Sequence, residues 1–197
     1  MKKIPSNFFL HHDVVDLAKN LIGKVLCSNI NNQLVKVIIT ETEAYAGIED
    51  KASHAYGGKY TNRTKTMYNE GGVSYVYLCY GIHYLFNIVS NKTGVPHAIL
   101  IRGGIPFFGI NTIIERRKKT IIEKKLLIGP GKLSQGLGIS MLQNNISLAG
   151  DTIWLEDHQL KFNSSAIKST PRIGIDYADE DKHLPFRFVI EPKHINL

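Results

Sequence analysis

The stretch from Leu34 to Tyr45 constrains the fold more than any other part of this 197-residue sequence. Valine, isoleucine and threonine dominate it, and these residues favour extended backbone, so the stretch predicts a long strand. Every second side chain of a strand lies on the same face. One face is therefore expected to carry an apolar stripe that continues into two carboxylates and a phenol: Val35, Val37, Ile39, Glu41, Glu43 and Tyr45.

The two carboxylates are the unusual members of this stripe. A half-buried carboxylate pair loses hydration, and this loss raises the pKa of at least one member. Such a pair is kept either for chemistry or for a salt bridge, and the strand alone leaves both readings open. His54 and Arg63 follow shortly after Glu41 and Glu43 in the sequence.

The remaining pattern predicts an α+β fold. Strands and helices do not alternate regularly, which favours a single domain over residues 1–197 with a curved, mostly antiparallel sheet, surrounding helices and a protruding β-hairpin. Residues 46–73 contain five glycines and are expected to form a long loop of the functional kind. We predict helices at 14–22, at 111–126 and from Lys132, strands at 24–28, 34–45, 74–79, 83–90, 98–102, 147–156 and 186–190, and a turn followed by a strand within 171–175.

The charge of the chain is asymmetric, with 24 Lys and Arg against 17 Asp and Glu. This excess is typical of a protein with a polyanionic partner such as nucleic acid or an anionic membrane, and also of an ordinary protein with a positive surface. No apolar run reaches the roughly 18–20 residues of a membrane span, so we expect an intracellular protein. Cys27 and Cys79 form no CxxC motif or Cys/His cluster, and we expect no metal and no cofactor.

The segment from Tyr75 to Asn87 contains four of the nine tyrosines. Packing within a sheet is the usual role of strand tyrosines and accounts for Tyr75 and Tyr84. It accounts poorly for Tyr80, which is expected at a turn beside Gly81, where a large ring has little to pack against. A side chain that enters a DNA groove and separates base pairs would explain this position.

Taken together, these segments resemble the alkyladenine (3-methyladenine) DNA glycosylase family over nearly the whole chain. The order and spacing of the motifs carry the resemblance: Glu41-Thr42-Glu43-Ala44-Tyr45, His54, the Tyr75-to-Asn87 block, Arg102, Gly129-Pro130-Gly131-Lys132-Leu133-Ser134-Gln135 and Pro171-Arg172-Ile173-Gly174-Ile175. The sequence departs from the family pattern at Gly103-Gly104, at Ile128 and at Phe186.

The resemblance implies a role for each matching residue. Glu43 would be the general base that activates water, which Arg102 and the backbone carbonyl of Ile173 would help to hold. The remaining residues would contact the extruded base or the DNA: Tyr45, His54 and Tyr77 as walls of the base pocket, Asn87 as a steric check against the 2-amino group of guanine, Tyr80 as the group that fills the vacated space in the duplex, and Lys132 near a phosphate.

The resemblance therefore implies a monofunctional glycosylase that excises alkylated or deaminated purines such as 3-methyladenine, 7-methylguanine or hypoxanthine. Its partner would be double-stranded DNA, which it would bind as a monomer. No association with a membrane is expected. It would lie in the cytoplasm near the nucleoid of a bacterium, or in the nucleus of a eukaryote. The alternatives are a non-catalytic lesion-binding protein and a metal-dependent nuclease, whose ligands would be Glu41, Glu43, Glu49, Asp50 and His54.

Overall fold

The β-branched stretch forms the strand around which the sheet is built, β3 (Gln33–Tyr45). This is seen in a computed structural model that describes residues 2–121, 123 and 125–195. All strand pairings in the described chain are antiparallel and belong to one nine-stranded sheet, which confirms the predicted α+β class with a mostly antiparallel sheet.

The strands follow the order β1-β7-β2-β3-β6-β5-β4, and β9 pairs with both β3 and β8. Their bounds are β1 (Lys2–Lys3), β2 (Val25–Ile30), β4 (Ser74–Cys79), β5 (His83–Ser90), β6 (His97–Phe108), β7 (Ile153–Asp157), β8 (Lys168–Thr170) and β9 (Arg187–Val189). The α-helices are α1 (Val14–Asn20), α2 (Ile110–Arg116) and α3 (Pro130–Leu137). Short 3-10 helices cover Ser6–Leu10, Tyr56–Gly58, Lys65–Tyr68, Met141–Gln143, Ser164–Ala166, Asp179–His183 and Pro192–His194.

Helix α1 begins where the sequence predicts it. The side chain of Asp13 accepts hydrogen bonds from the backbone N–H groups of Val15 (2.8 Å) and Asp16 (3.1 Å), which satisfies two of the donors that a helix start leaves free. The buried hydroxyl of Thr42 donates to the carbonyl of Ala18 at 2.8 Å. This bond joins α1 to the half of β3 that carries the carboxylates.

The long basic helix predicted at 111–126 is wrong. Helix α2 ends at Arg116, because Lys118 takes the left-handed conformation (φ 52°). The N–H of Lys119 then bonds to the carbonyl of Ile114 at 3.0 Å, an arrangement that closes the last turn of a helix. Two positions of the predicted stretch lie outside the described residues.

Three further predictions of element bounds need correction. Strand β7 begins at Ile153 rather than at 147, and Ser147 forms only an isolated bridge to Val73. Residues 171–175 form a bend and no strand, since the pairing with β9 is made by the preceding residues of β8. Helix α3 begins at Pro130, two residues before the predicted start, because proline is well suited to the first turn of a helix.

Strand β6 continues six residues beyond its predicted end at Arg102, through Gly103 and Gly104. The two glycines do not end the strand, because they lie where the backbone of β6 comes very close to that of its neighbour β3. A Cβ atom on Gly104 would come within 2.6 Å of the carbonyl oxygen of Ile38. Absence of side chains thus allows the two longest strands to remain paired.

The register between β3 and β6 shifts between Ile39 and Glu41 and again between Glu41 and Thr42. The uninterrupted alternation expected over 34–45 is therefore wrong, because a bulge resets which face the next side chain occupies. At the same point β3 changes its other neighbour, from β2 before the shift to β9 after it. The carboxylates thus lie in the segment of β3 between β6 and β9.

The main core packs the apolar sides of the three α-helices against the sheet, with Leu17, Ile113 and Leu133 fully covered. No α-helix in the described part of the chain is long and apolar enough to cross a membrane.

The close approach of β3 and β6 at Gly104 predicts that Gly104→Ala destabilises the fold. The added methyl group would press on the Ile38 carbonyl, and overpacking of this kind costs about 1–3 kcal/mol. Urea denaturation of Gly104→Ala and of Gly150→Ala, whose Cβ would meet only the Ser147 carbonyl at 3.3 Å, measures the difference. Equal losses of unfolding free energy in the two variants would contradict the proposed close approach.

Candidate active site

Glu43 is the most deeply buried carboxylate of the described residues, with a relative exposure of 0%. Three groups donate hydrogen bonds to it. The backbone N–H of Ile173 reaches Oε1 at 2.8 Å, while the Tyr45 hydroxyl (2.8 Å) and Arg102 Nη1 (3.3 Å) both reach Oε2. A carboxylate with this set of donors is held in one orientation.

Burial raises the pKa of the Glu43 carboxyl above its ordinary value, because the charged form loses hydration. The charge of Arg102 and the hydrogen bonds from Ile173 and Tyr45 act in the opposite direction and offset part of that effect. Burial also raises the pKa of the Tyr45 hydroxyl, and the negative charge of Glu43 adds to the shift. Tyr45 therefore keeps its proton and remains a donor to Glu43.

Glu41 forms ion pairs, which is one of the two roles that the sequence left open for the pair of carboxylates. Its Oε1 accepts hydrogen bonds from Arg102 Nε at 2.9 Å and from Arg187 Nε at 2.7 Å. Arg102 therefore contacts both carboxylates, with Nε on Glu41 and Nη1 on Glu43. The two members of the pair differ, since Glu41 is held by two arginines and Glu43 by one.

The bend that carries Ile173 is held in place by a buried ion pair. The guanidinium of Arg172 donates to both carboxylate oxygens of Asp50 and, at 2.8 Å, to the carbonyl of Ala44. It also lies over the ring of Tyr45, with 4.9 Å from Cζ to the ring centroid. Arg172 therefore has a structural role and brings the Ile173 N–H to Glu43.

A cavity of about 510 Å³ opens next to this buried cluster. Glu43 itself does not line it, but all three of its hydrogen-bond donors do. The structure brings most of the residues implied by the resemblance to this one cavity, whose lining includes Tyr45, His54, Tyr77, Tyr80, Asn87, Arg102 and Ile173. Lys132 lies apart from it, exposed in the first turn of α3, although its neighbour Pro130 lines the cavity.

His54 stands against the aromatic wall of the cavity as a neutral imidazole. Burial, together with the nearby charge of Arg63, lowers its pKa to about 4. Arg63 Nη2 lies 3.1 Å from Nε2, so Nε2 is an acceptor and the ring proton belongs on Nδ1, which lies 2.9 Å from the Tyr75 hydroxyl. The His54 and Tyr77 rings meet edge to face at 4.7 Å.

Two residues of this wall were not assigned to the site from the sequence. The guanidinium of Arg63 lies 4.6 Å from the ring centroid of Tyr77 and contacts His54, and Tyr75 supplies the hydroxyl on the other side of the imidazole. Arg63 lies in the glycine-containing loop after β3, where no periodic pattern assigns a position to a side chain. Tyr75 was interpreted as ordinary sheet packing, and it is indeed buried.

Asn87 is buried on β5 at the edge of the cavity. Its amide nitrogen donates to the backbone carbonyls of Tyr75 (3.0 Å) and Leu85 (3.4 Å). These bonds fix the plane of the amide, and the residue lines the cavity. Asn87 is thus both bonded to the backbone and part of the cavity wall.

Tyr80 lies in the turn between β4 and β5, whose pairing runs up to Cys79 and His83. It is 89% exposed and has a left-handed backbone (φ 50°), an uncommon conformation for a residue with a large side chain. Ile82 of the same turn is 71% exposed. The expected exposed aromatic at the tip is therefore present, beside the cavity that it helps to line.

The ligand set of the nuclease alternative does not assemble. Within residues 2–121, 123 and 125–195, no three His, Cys, Asp or Glu side chains come together at metal-binding spacing. Glu41 and Asp50 are instead engaged by arginines.

Comparison with known proteins gives one consistent result. The sequence model described as methylpurine-DNA glycosylase (MPG) matches residues 8–194. A Chlamydia abortus protein named "Putative 3-methyladenine DNA glycosylase" is 45% identical over 192 residues, which cover 97% of this chain and 100% of the relative. Relatives of the same name from Clostridium perfringens strain 13 and Bacillus cereus strain AH820 are 43% and 42% identical over 191 residues, in each case 93% of both chains.

The Asp50–Arg172 pair predicts that Asp50→Ala is strongly destabilising. It leaves a buried guanidinium without its counter-charge, and breaking a buried ion pair in this way costs about 3–5 kcal/mol. The control is Asp151→Ala, which removes an exposed carboxylate paired with Lys3 and should change the unfolding free energy little. Thermal and urea unfolding of both variants test this, and similar melting temperatures would contradict the assigned role.

Proposed function

Because this chain belongs to the methylpurine-DNA glycosylase family and is a DNA glycosylase, we propose that it turns a damaged purine out of duplex DNA and hydrolyses its N-glycosidic bond. The observation that carries the proposal is Glu43, a wholly buried carboxylate whose three donors line an aromatic cavity. The enzyme is monofunctional, because this chemistry requires one carboxylate and water, without a lysine nucleophile.

Glu43 is the general base of the reaction. Cleavage of the bond develops positive charge on the sugar, which an ionised carboxylate stabilises while it takes a proton from the attacking water. The attacking water is bound beside Glu43 and within reach of Arg102, whose contact with Glu43 at 3.3 Å is the longest of the three. The backbone carbonyl of Ile173 completes the water site, as the family resemblance implies.

Tyr45, Tyr77 and neutral His54 form the walls against which the extruded base stacks. Stacking on an aromatic side chain contributes roughly 1–3 kcal/mol per base and offsets part of the cost of removing the base from the duplex. Asn87 discriminates between bases: its fixed side-chain amide excludes the exocyclic 2-amino group of guanine by steric contact. The substrates are alkylated or deaminated purines of the 3-methyladenine, 7-methylguanine and hypoxanthine type.

Tyr80 fills the gap that the extruded nucleotide leaves in the duplex. Its exposure at the tip of the β4–β5 turn, at the edge of the base cavity, suits this role. Lys132 contacts a DNA phosphate from the exposed first turn of α3, and the net charge of +7 favours a polyanion. The protein acts as a monomer on double-stranded DNA, in the bacterial cytoplasm at the nucleoid.

Glu43→Gln is expected to abolish base release while it leaves lesion binding intact, because only the transition state loses its partner. The assay is single-turnover release from a duplex oligonucleotide that contains one hypoxanthine, carried out in chelator. Glu49→Gln, at an exposed position of the loop after β3, is the matched control. A near-normal rate in Glu43→Gln would refute the assignment of the base, and loss of wild-type activity in chelator would favour the nuclease alternative.

Tyr80→Ser is expected to lower the population of extruded bases and to weaken lesion binding, with little change in melting temperature because the ring makes few contacts. A fluorescent base analogue beside the lesion reports extrusion directly. Tyr60→Ser removes another exposed tyrosine, one outside the cavity lining, and should leave extrusion unchanged. If extrusion kinetics in Tyr80→Ser match those of the wild type, the aromatic side chain does not act as a wedge.

A further inference from the structure

We propose that Arg187 and Glu41 are positioning residues for the hydrolytic reaction, which hold Arg102 so that its Nη1 group faces Glu43 and the attacking water. The inference rests on the proposed function, since it assigns partners to the proposed base. Neither residue touches the cavity in which the base is expected to lie.

The hydrogen bonds form a chain that begins at the sheet edge. Thr170 Oγ1 accepts from Arg187 Nη1 at 2.9 Å, and Glu41 Oε1 accepts from Arg187 Nε at 2.7 Å and from Arg102 Nε at 2.9 Å. The side chains of Glu41, Arg102 and Arg187 are only 7%, 11% and 20% exposed, so water competes little for these bonds. A guanidinium is planar, and fixing its Nε therefore fixes the direction of its Nη1.

The sharing of Glu41 between two arginines explains why Arg102 is free to reach Glu43. An arginine that meets a lone carboxylate commonly makes two parallel hydrogen bonds to it. Here Arg187 supplies part of the counter-charge of Glu41, and Arg102 meets Glu41 through Nε alone. Without Arg187, Arg102 would be the only cation on Glu41 and would turn toward it, away from Glu43.

Strand pairing places these groups with little freedom. β9 pairs with β3 so that Arg187 lies opposite Glu43 and Val189 opposite Glu41. On the other side of β3, Glu41 lies opposite Gly103, where a Cβ atom would come within 3.2 Å of Glu41 Oε2. The absence of a side chain at Gly103 therefore gives the Glu41 carboxylate room against β6.

The first test compares Arg187→Met with Arg187→Lys in the full chain, on a duplex that contains one hypoxanthine. Loss of positioning should lower the single-turnover rate constant of Arg187→Met by about 10–100-fold, because small misplacements of reacting groups have effects of this size. The dissociation constant for the lesion duplex should change by less than about threefold. The reason is that the substitution removes no contact that the substrate makes equally in the ground state and in the transition state. Arg187→Lys should restore part of the rate.

The matched control is Lys168→Met, which removes an exposed cation paired with Glu191 at the same sheet edge. It should keep the wild-type rate. All rates are compared at equal folded fraction, measured by circular dichroism at the assay temperature. An Arg187→Met variant with the wild-type rate would overturn the inference, whatever the change in its melting temperature.

The second test is the pH dependence of the single-turnover rate in Glu41→Gln. The negative charge of Glu41 contributes to the raised pKa of Glu43. A base is active when ionised, so activity is lost as the pH falls through that pKa. Removal of the Glu41 charge should move this acid limb to lower pH, and an unmoved limb with an unchanged rate would overturn the inference.

Glu43→Gln, measured in the same series, separates this inference from the proposed function. If Glu43→Gln is inactive while Arg187→Met and Glu41→Gln behave as wild type, the positioning role alone is wrong. If Glu43→Gln is active, the proposed base is wrong, and the inference falls with it.

Discussion

The site depends on the burial of two carboxylates side by side on one strand. Two like charges in a region that excludes water would each be strongly disfavoured, so the fold must bring compensating charge and donors to them. Arg102 and Arg187 converge on Glu41, and the Ile173 N–H, the Tyr45 hydroxyl and Arg102 converge on Glu43. The switch of β3 from β2 to β9 makes this possible, because it places an arginine-bearing strand next to the carboxylates.

Two further sets of contacts hold the wall of the cavity. Asp50 and Arg172 join the loop after β3 to the bend at Ile173, and the Arg172 guanidinium lies over the ring of Tyr45. His54 is held between Arg63 and Tyr75 and is kept neutral by burial. A pocket built in this way is organised before a base arrives, and little binding energy need be spent in ordering it.

The sequence predicted the elements whose signals are local. The β-branched stretch of β3, the Asp13 cap of α1 and the turn between β4 and β5 are all specified by neighbouring residues. The end of α2 was missed because it depends on a left-handed lysine, which carries no sequence signature. The continuation of β6 beyond Arg102 was missed because glycine is not typical of strands, and here its two glycines allow a close approach to β3.

The candidate site was predicted through motif spacing, and its supporting contacts were not. Arg63 and the Asp50–Arg172 pair lie in loops, where neither helical nor strand periodicity assigns a partner. The bulges of β3 also break the simple alternation that relates Ile39 to Glu41. Asp50 and Arg172 are 122 residues apart in the chain, and only the folded topology brings them together.

That separation has a consequence for how the protein is made. Glu43 and its Ile173 partner are 130 residues apart, and Glu41 and Arg187 are 146 apart. A ribosome therefore releases the carboxylates long before Ile173 and Arg187, and the nascent strand cannot fully dehydrate this end while these partners are missing. The reactive centre can be completed only after β9, which carries Arg187, has been synthesised. Contacts of such long range also form slowly.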